Sequence, residues 1–300
     1  MSLIDWSTYG AQQFLGYIVN RNRVWAMRDI LGTIPDYRGD HTLENYKFMN
    51  IWRELDTFSQ KEITYLREQE DLKDQLLRIL LGRYTLNWEV ACKLHQYFNE
   101  VSVEFLRGVS DQFNGELTGD AIVFEASPGK DVLATIAAYV RAVQANLEAL
   151  HDELPHMNAV NFFHYLQYRL PMLGRFRAYE VVTSLTYSNE LAWTEYDLIH
   201  VGQGAVPGVE YVTRRKFDYH ELPGVLIEMT GEVRAKLLEQ DNFSWIPPHM
   251  QGNQKCLEDN KFTYRTMEDC LCEFRKYWEH NKDYRIHRRP RFQAPKPMAV

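Results

Sequence analysis

Between Asn158 and Thr186 two apolar helical stretches meet at Leu170-Pro-Met-Leu-Gly174, and this junction constrains the chain more than any other segment. The first stretch carries Val160, Phe163 and Leu166 on one face. The second carries Phe176, Ala178, Val181, Val182 and Leu185. Proline removes a backbone donor and blocks continuation of the helix, while glycine tolerates the backbone angles of a tight reversal. The spacing therefore predicts an αα-hairpin.

Helical periodicity recurs on both sides of it. Phe14, Ile18, Val24 and Trp25 suit an amphipathic helix entered through Ser7-Thr8. Leu43 to Leu55 and Glu62 to Leu81 repeat the pattern, the latter with Leu66, Leu76, Ile79 and Leu80 on one face. Asn87 to Arg107 and Asp131 to Leu150 read as further helices, with Asp131 as an N-cap. Gly32 to Thr42 reads as a loop. Gly108 to Lys130 reads as irregular, with a short extended piece at Ala121 to Phe124. The expected class is mainly α, with a few short strands or extended loops.

Several functions are excluded early. The longest apolar run, Val132 to Val140, is nine residues, against the ~20 needed to span a bilayer. The N-terminus shows no basic-then-apolar leader. Four cysteines, Cys92, Cys256, Cys270 and Cys272, fit a reducing compartment and match no zinc or iron–sulfur spacing. There is no G-x-x-x-x-G-K-[ST], so P-loop kinase chemistry is not expected.

Charge is distributed unevenly. The chain carries 34 basic and 41 acidic residues, a net of −7 that alone argues against nucleic acid. From Arg275 to Val300, however, eight Lys or Arg face two acidic residues. An acidic body with a basic tail admits two readings, a solvated terminus or a contact to an anionic partner.

Leu170 to Gly174 resembles the helix-hairpin-helix, which aims the free N–H groups of its second helix at a DNA phosphate. Met172 replaces the first glycine of that pattern. On this basis Leu173, Gly174 and Arg175 are candidate DNA contacts, and an ordinary αα-hairpin is the plainer alternative. Asp197 follows about twenty residues later, where helix-hairpin-helix DNA glycosylases hold their catalytic aspartate. Gly202-Gln-Gly204-Ala-Val-Pro-Gly208 comes next, then Arg214, Arg215 and Lys216. Glycines admit backbone N–H groups to an anion, and the cations would neutralise it.

Four blocks carry a wider resemblance. They are Tyr17-Ile-Val-Asn-Arg-Asn-Arg-Val-Trp25, Asn45-Tyr-Lys-Phe-Met-Asn-Ile-Trp-Arg-Glu-Leu-Asp56, the stretch from Leu170 through Asp197 to Gly208, and Leu271-Cys-Glu-Phe-Arg-Lys-Tyr277. Together they resemble the phage thymidine-hypermodification proteins that share the helical domain of 5-hydroxymethyluracil DNA kinases. Within that group they are most similar to the α-glutamyl/putrescinyl-thymine pyrophosphorylases, or amino acid:DNA transferases. Gln203 stands where the family usually has Pro, and Arg275 where it usually has Asp.

The resemblance implies a single DNA-glycosylase-like helical domain over residues 1–284, with a helix-hairpin-helix near 158–186 and a basic tail at 285–300. It implies a reaction in which an amino acid or polyamine displaces pyrophosphate from the 5-methylene of a modified thymine in double-stranded DNA. A 5-hydroxymethyluracil DNA kinase would supply the substrate, in the cytoplasm of an infected bacterial host and with no membrane involved. A divalent metal accompanying the pyrophosphate is compatible with the chemistry, and no resident metal ligands stand out.

The expected roles follow. Asp197 is the candidate catalytic carboxylate, with Glu54 as the alternative base. Arg21, Arg23, Lys47, Asn50, Arg53, Asp56, Gly202, Gly204, Gly208, Glu273, Lys276 and Tyr277 would bind substrate or pyrophosphate. Arg53 with Asp56, and Arg21 with Glu54, have a plainer reading as interhelical ion pairs. Arg214, Arg215, Arg288 and Arg289 would meet DNA. Extruding the base costs roughly a few kcal/mol; Trp25, Tyr46, Phe48, Trp52 or Tyr196 could stack it, although each aromatic is more simply a core residue. Cys272 reads as a buried small hydrophobe in preference to a nucleophile. Two other functions compete: a helix-hairpin-helix DNA glycosylase acting on modified thymine, and a non-catalytic DNA-binding partner of a base kinase.

If the tail contacts phosphates, truncation after Tyr284 weakens DNA binding and flattens its dependence on salt. A plot of log K against log salt concentration tests this, and an unchanged slope removes the tail from the interface.

Overall fold

The computed structural model describes residues 2–27, 40, 42–43, 46, 48–119, 131–240 and 262–282. Among them are eleven α-helices and no β-strand, so the mainly α expectation holds. The expected extended piece at Ala121 to Phe124 lies outside the described residues, as does the basic tail.

The described residues fall into two compact units. One draws on Met1–Asp56, Ile199–Gln251 and Leu257–Val300, the other on Thr57–Leu198. The first unit contains α1 (Tyr9–Trp25), a 3-10 turn (Arg53–Leu55), α9 (Val206–Thr213), α10 (Leu222–Leu238) and α11 (Tyr264–Lys282). Its core includes Phe14, Tyr17, Phe48, Trp52, Val209, Met229, Leu271 and Phe274. The second unit contains α2 (Thr57–Glu68), α3 (Leu72–Thr85), α4 (Trp88–Gln96), α5 (Val103–Gln112), α6 (Val132–Glu153), α7 (Ala159–Arg169) and α8 (Gly174–Leu185). Leu76, Ile79, Leu80, Val140, Phe162, Leu166, Val181 and Val182 belong to its core.

Caps set several boundaries. Thr8 Oγ1 accepts the Ala11 N–H at 3.4 Å and opens α1. Asp131 Oδ1 accepts from Leu133 N at 2.9 Å and opens α6, as its sequence position suggests. The helix expected over Glu62 to Leu81 is two helices instead. Asp71 accepts from Lys73 N at 2.9 Å and starts α3 afresh. The helix expected over Asn87 to Arg107 is also broken: Ser102 accepts from Phe105 N at 3.1 Å and opens α5. A side-chain acceptor outcompetes helix continuation at both places.

Leu43 to Leu55 departs furthest from expectation. Phe48 to Trp52 is not helical, and regular structure resumes only in the 3-10 turn at Arg53–Leu55. Glycine-loop residues 206–208, by contrast, lie inside α9.

The hairpin is present as α7, a 3-10 turn at Pro171–Leu173, and α8, with Gly174 at φ +70°. That angle suits glycine. Gly174, Arg175 and Phe176 are exposed, whereas Leu173 is buried and its N–H donates to Leu170 O at 2.9 Å.

A buried ion cluster ties α2, α3 and α8 together. Arg83, fully buried, pairs with Glu62 through Nη2, and its Nη1 donates to Glu180 at 2.9 Å. Its Nε donates to Ser184 Oγ at 2.7 Å. Breaking a buried pair costs far more than forming it gains, because the remaining charge stays desolvated. Arg83→Met should therefore lower the unfolding free energy by about 3–5 kcal/mol, read as a shifted urea midpoint. An unshifted midpoint would mean Glu62 and Glu180 find water or protons at little cost.

Candidate functional site

Phe48 to Asn50 is held without helical hydrogen bonding, and side chains supply what the backbone lacks. Arg21, 5% exposed on α1, donates from Nη2 to Phe48 O at 2.8 Å and to Asn50 Oδ1 at 2.7 Å. Its Nε donates to Met49 O at 3.0 Å. Glu273 on α11 accepts the Met49 N–H at 3.2 Å. Asp56 Oδ1 accepts from Asn50 N at 3.2 Å and from Asn50 Nδ2 at 3.0 Å. Three of the four motif blocks thus meet in one unit.

Further charges surround this core. Arg53 Nη1 donates to Asp56 Oδ2 at 2.8 Å, and its Nε lies 3.6 Å from Asp269. Arg265 lies 3.8 Å from the same Asp269 oxygen. Lys276 Nζ donates to Glu273 Oε1 at 2.5 Å. The Arg53–Asp56 ion pair that competes with a substrate role is therefore formed, within one turn. Arg53, Arg265 and Lys276 each lie within 3.8 Å of a carboxylate of this cluster, whereas Arg21 is spent on carbonyls and Asn50. Glu54 sits half-buried in the same 3-10 turn as Arg53.

The glycines are close-packing positions against α11. A Cβ on Gly208 would collide with Leu271 O, and one on Gly204 would stand 2.8 Å from Cys272 Sγ. The Gly202 N–H donates to Glu268 Oε1 at 3.0 Å, an internal carboxylate.

Other candidates are placed as follows. Trp25, Phe48 and Trp52 are core residues, at most 2% exposed. Tyr46 stands edge-on to His280 at 4.3 Å, and Tyr196 is half-buried. Arg23 is exposed. The Tyr277 hydroxyl donates to Asp40 at 2.8 Å; burial first, then the Asp40 charge, pushes its pKa up. Asp197 is exposed, and its Oδ2 accepts from Thr194 N at 2.6 Å and Thr194 Oγ1 at 2.8 Å, closing its own turn in the second unit. Arg214 and Arg215 are exposed in the first unit. Lys47, Arg288 and Arg289 lie outside the described residues.

Arg265, Glu268 and Asp269 escaped the sequence reading. Their signal was available: charged side chains at three- and four-residue spacing immediately before Leu271-Cys-Glu-Phe, on a helix whose neighbouring positions are apolar. Among the described residues no group of three His, Cys, Asp or Glu side chains is arranged to hold a metal ion. No helix among them is long and apolar enough to cross a membrane.

Among the described residues the regular structure is entirely helical, and residues from three separated sequence blocks converge on one polar cluster. Residues 8–285 match the family described as 5-hmdU DNA kinase, helical domain, and the chain belongs to that family. No curated protein and no solved structure shows a significant match.

Cys272 is half-buried on α11, packed beside Gly204. Burial pushes its thiol from 9.0 up to about 12, with Glu268, Glu273 and Asp269 adding to the rise and Lys276 opposing it. A thiolate is the reactive form, so Cys272 should resist iodoacetamide in native protein at pH 8 and react once unfolded. The unfolded thiol ionises first, so this group's contribution to stability is intact below pH 9 and falls as pH rises from 9 to about 12. Rapid native alkylation of Cys272, mapped by peptide mass spectrometry, would contradict the burial.

Proposed function

We propose that the protein modifies thymine-derived bases in DNA, transferring an amine onto the 5-methylene of pyrophosphorylated 5-hydroxymethyluracil. The family match over residues 8–285 supports the hypermodification of 5-hydroxymethyluracil in DNA, and the resemblance of the sequence blocks supports amine transfer as the step. These 300 residues contain no P-loop motif, so P-loop phosphorylation is not assigned to them. The amine comes from an amino acid or a polyamine. A base kinase acts earlier on the same DNA.

The step balances simply. The amine nitrogen forms a bond to the methylene carbon, the carbon–oxygen bond breaks, and its electron pair leaves with pyrophosphate. One proton must leave the incoming ammonium. We assign its acceptor to Glu54 ahead of Asp197, because Glu54 shares a half-buried turn with the paired Arg53 and Asp56. Asp197 is exposed and occupied with Thr194. Hydrogen bonds from Arg21 to backbone carbonyls and Asn50, and from Asn50 and Arg53 to Asp56, keep these groups preorganised, so little reorganisation is needed when charge develops. Arg53 and Lys276 are the half-buried cations placed to exchange carboxylate for pyrophosphate oxygen. Gly174 and Arg175 at the exposed start of α8 are assigned to a DNA phosphate.

The decisive experiment incubates the protein with duplex DNA carrying pyrophosphorylated 5-hydroxymethyluracil and a panel of amines. Nucleosides and released pyrophosphate are then quantified by mass spectrometry. The expected outcome is one amine-substituted nucleoside per pyrophosphate, with glycosidic bonds intact. Glu54→Gln should slow product formation about 10²- to 10⁴-fold, and Asp197→Asn should leave most of it. Abasic sites would establish a glycosylase instead, and a fully active Glu54→Gln would return the base to Asp197.

A further inference from the structure

A groove of about 520 Å³ opens within the first unit and shares no lining residue with the Arg21–Arg53–Glu273 cluster. It is lined by Tyr9, Gly10, Glu210, Tyr211, Arg214, Arg215, Lys216 and Trp278. Its walls and rim have different chemistry. The wall is aromatic: Tyr9 and Trp278 have ring centroids 5.5 Å apart at 50°, and Tyr211 and Trp278 stack at 5.7 Å and 25°. The rim is cationic. Arg214 takes a left-handed φ of +57° where α9 ends, and Arg214, Arg215 and Lys216 are all exposed. Lys282 Nζ stands 4.6 Å from the Trp278 ring centroid and adds a fourth positive charge.

The arrangement is built, with more behind it than a run of charges beside a few rings. A Cβ on Gly10 would collide with Tyr211 O, so glycine there lets α1 lie against α9 and brings Tyr9 beside Tyr211. Thr213 Oγ1 accepts the Arg215 N–H at 3.3 Å and holds the turn that presents the cations. Tyr9 is 68% exposed, leaving most of one large ring uncovered next to the cations. Among the described lining residues Glu210 is the one carboxylate; Asp5 lies close enough to Arg214 to feel its charge, and Glu279 engages the Tyr211 hydroxyl at 3.5 Å.

Rings that offer a face, with three exposed cations beside them, suit a ligand that is flat and aromatic at one end and anionic at the other. A nucleotide has that form. Stacking on an aromatic face tolerates any base, while Arg and Lys follow the phosphates. A base paired within a duplex has no free face to give, so the match is to an unpaired nucleotide. We propose that this groove holds one unpaired nucleotide of a DNA strand, its base on Tyr9 and its phosphates on Arg214, Arg215 and Lys216. The proposal rests on the DNA reading above and deepens it: the protein grips DNA where the strands have separated, at a surface distinct from the buried cluster.

Binding of the full chain to a fluorescent oligo(dT), measured by anisotropy, tests the proposal against an oligonucleotide of equal length that is abasic throughout. Tyr9→Ala should weaken oligo(dT) binding about tenfold, and leave the abasic strand unaffected. Arg215→Glu should weaken both and flatten their salt dependence. If the parent binds the abasic strand as tightly as oligo(dT), or if Tyr9→Ala binds oligo(dT) like the parent, the stacking site is refuted. Competition by thymidine monophosphate near the oligonucleotide's own dissociation constant would assign the groove to a free nucleotide and overturn the strand assignment. Failure here is separable from failure of the proposed function. A parent that forms the amine product while Tyr9→Ala binds oligo(dT) normally loses only the groove. A parent that stacks oligo(dT) but forms no product loses only the transfer reaction.

Discussion

The Arg21 guanidinium solves a problem that the stretch from Phe48 to Asn50 creates. Phe48 is buried, and buried backbone groups must find partners. Neither a helix nor a sheet provides them here. Arg21 reaches the carbonyls of Phe48 and Met49, Glu273 takes the Met49 N–H, and Asp56 takes that of Asn50. A hydrogen bond to a charged group contributes about 1.5–3 kcal/mol, roughly twice an ordinary one. The cost of leaving such groups bare is higher still. Three sequence blocks are therefore obliged to meet: α1 supplies the cation, α11 a carboxylate, and the irregular strand of chain between them the groups they satisfy.

The same constraint accounts for α11. Arg265, Glu268, Asp269 and Glu273 are buried on a helix that also buries Met267, Leu271 and Phe274. An unpaired charge at such depth would be prohibitive, so each has an opposite charge or a backbone donor within reach. Gly202 gives its N–H to Glu268, and the bare backbone of Gly208 lets α9 approach Leu271. Glycines that suggest an anion cradle in the sequence serve, in the fold, to bring a helix close and to satisfy a carboxylate.

What the sequence makes legible divides along physical lines. Local signals read well: Thr8 and Asp131 cap helices because their side chains reach N–H groups two or three residues on. The hairpin at Leu170 to Gly174 reads well because proline and glycine act through their own backbone. Leu43 to Leu55 reads as helical because its apolar spacing fits one. The actual conformation of Phe48 to Asn50 within it depends on Arg21 and Glu273, which are distant in sequence and invisible to periodicity. The breaks at Asp71 and Ser102 were readable in principle, since both residues are good N-caps inside apolar runs. Family resemblance located Arg21, Asn50, Arg53, Asp56 and Glu273 together, and their convergence in one unit is consistent with it. It did not supply Arg265, Glu268 or Asp269, nor the reason for the glycines.

Charge distribution links these observations to nucleic acid. A net of −7 suggests that a polyanion would be repelled. Coulomb interactions between exposed groups fade over a Debye length of about 8–10 Å at physiological salt, so the total matters less than what lies within that radius. Arg265, Asp269 and Glu273 are buried with opposite charges within 3.8 Å, and half-buried Arg53 lies between two carboxylates, so their fields largely cancel outside. Arg214, Arg215 and Lys216 lie exposed in succession beside Tyr9 and Trp278, against Glu210 in the described lining and Asp5 nearby. An acidic protein can thus present a locally positive, aromatic surface. Burying carboxylates with matched cations removes them from the competition for phosphate, and exposed cations at a helix end face the solvent from which DNA would approach.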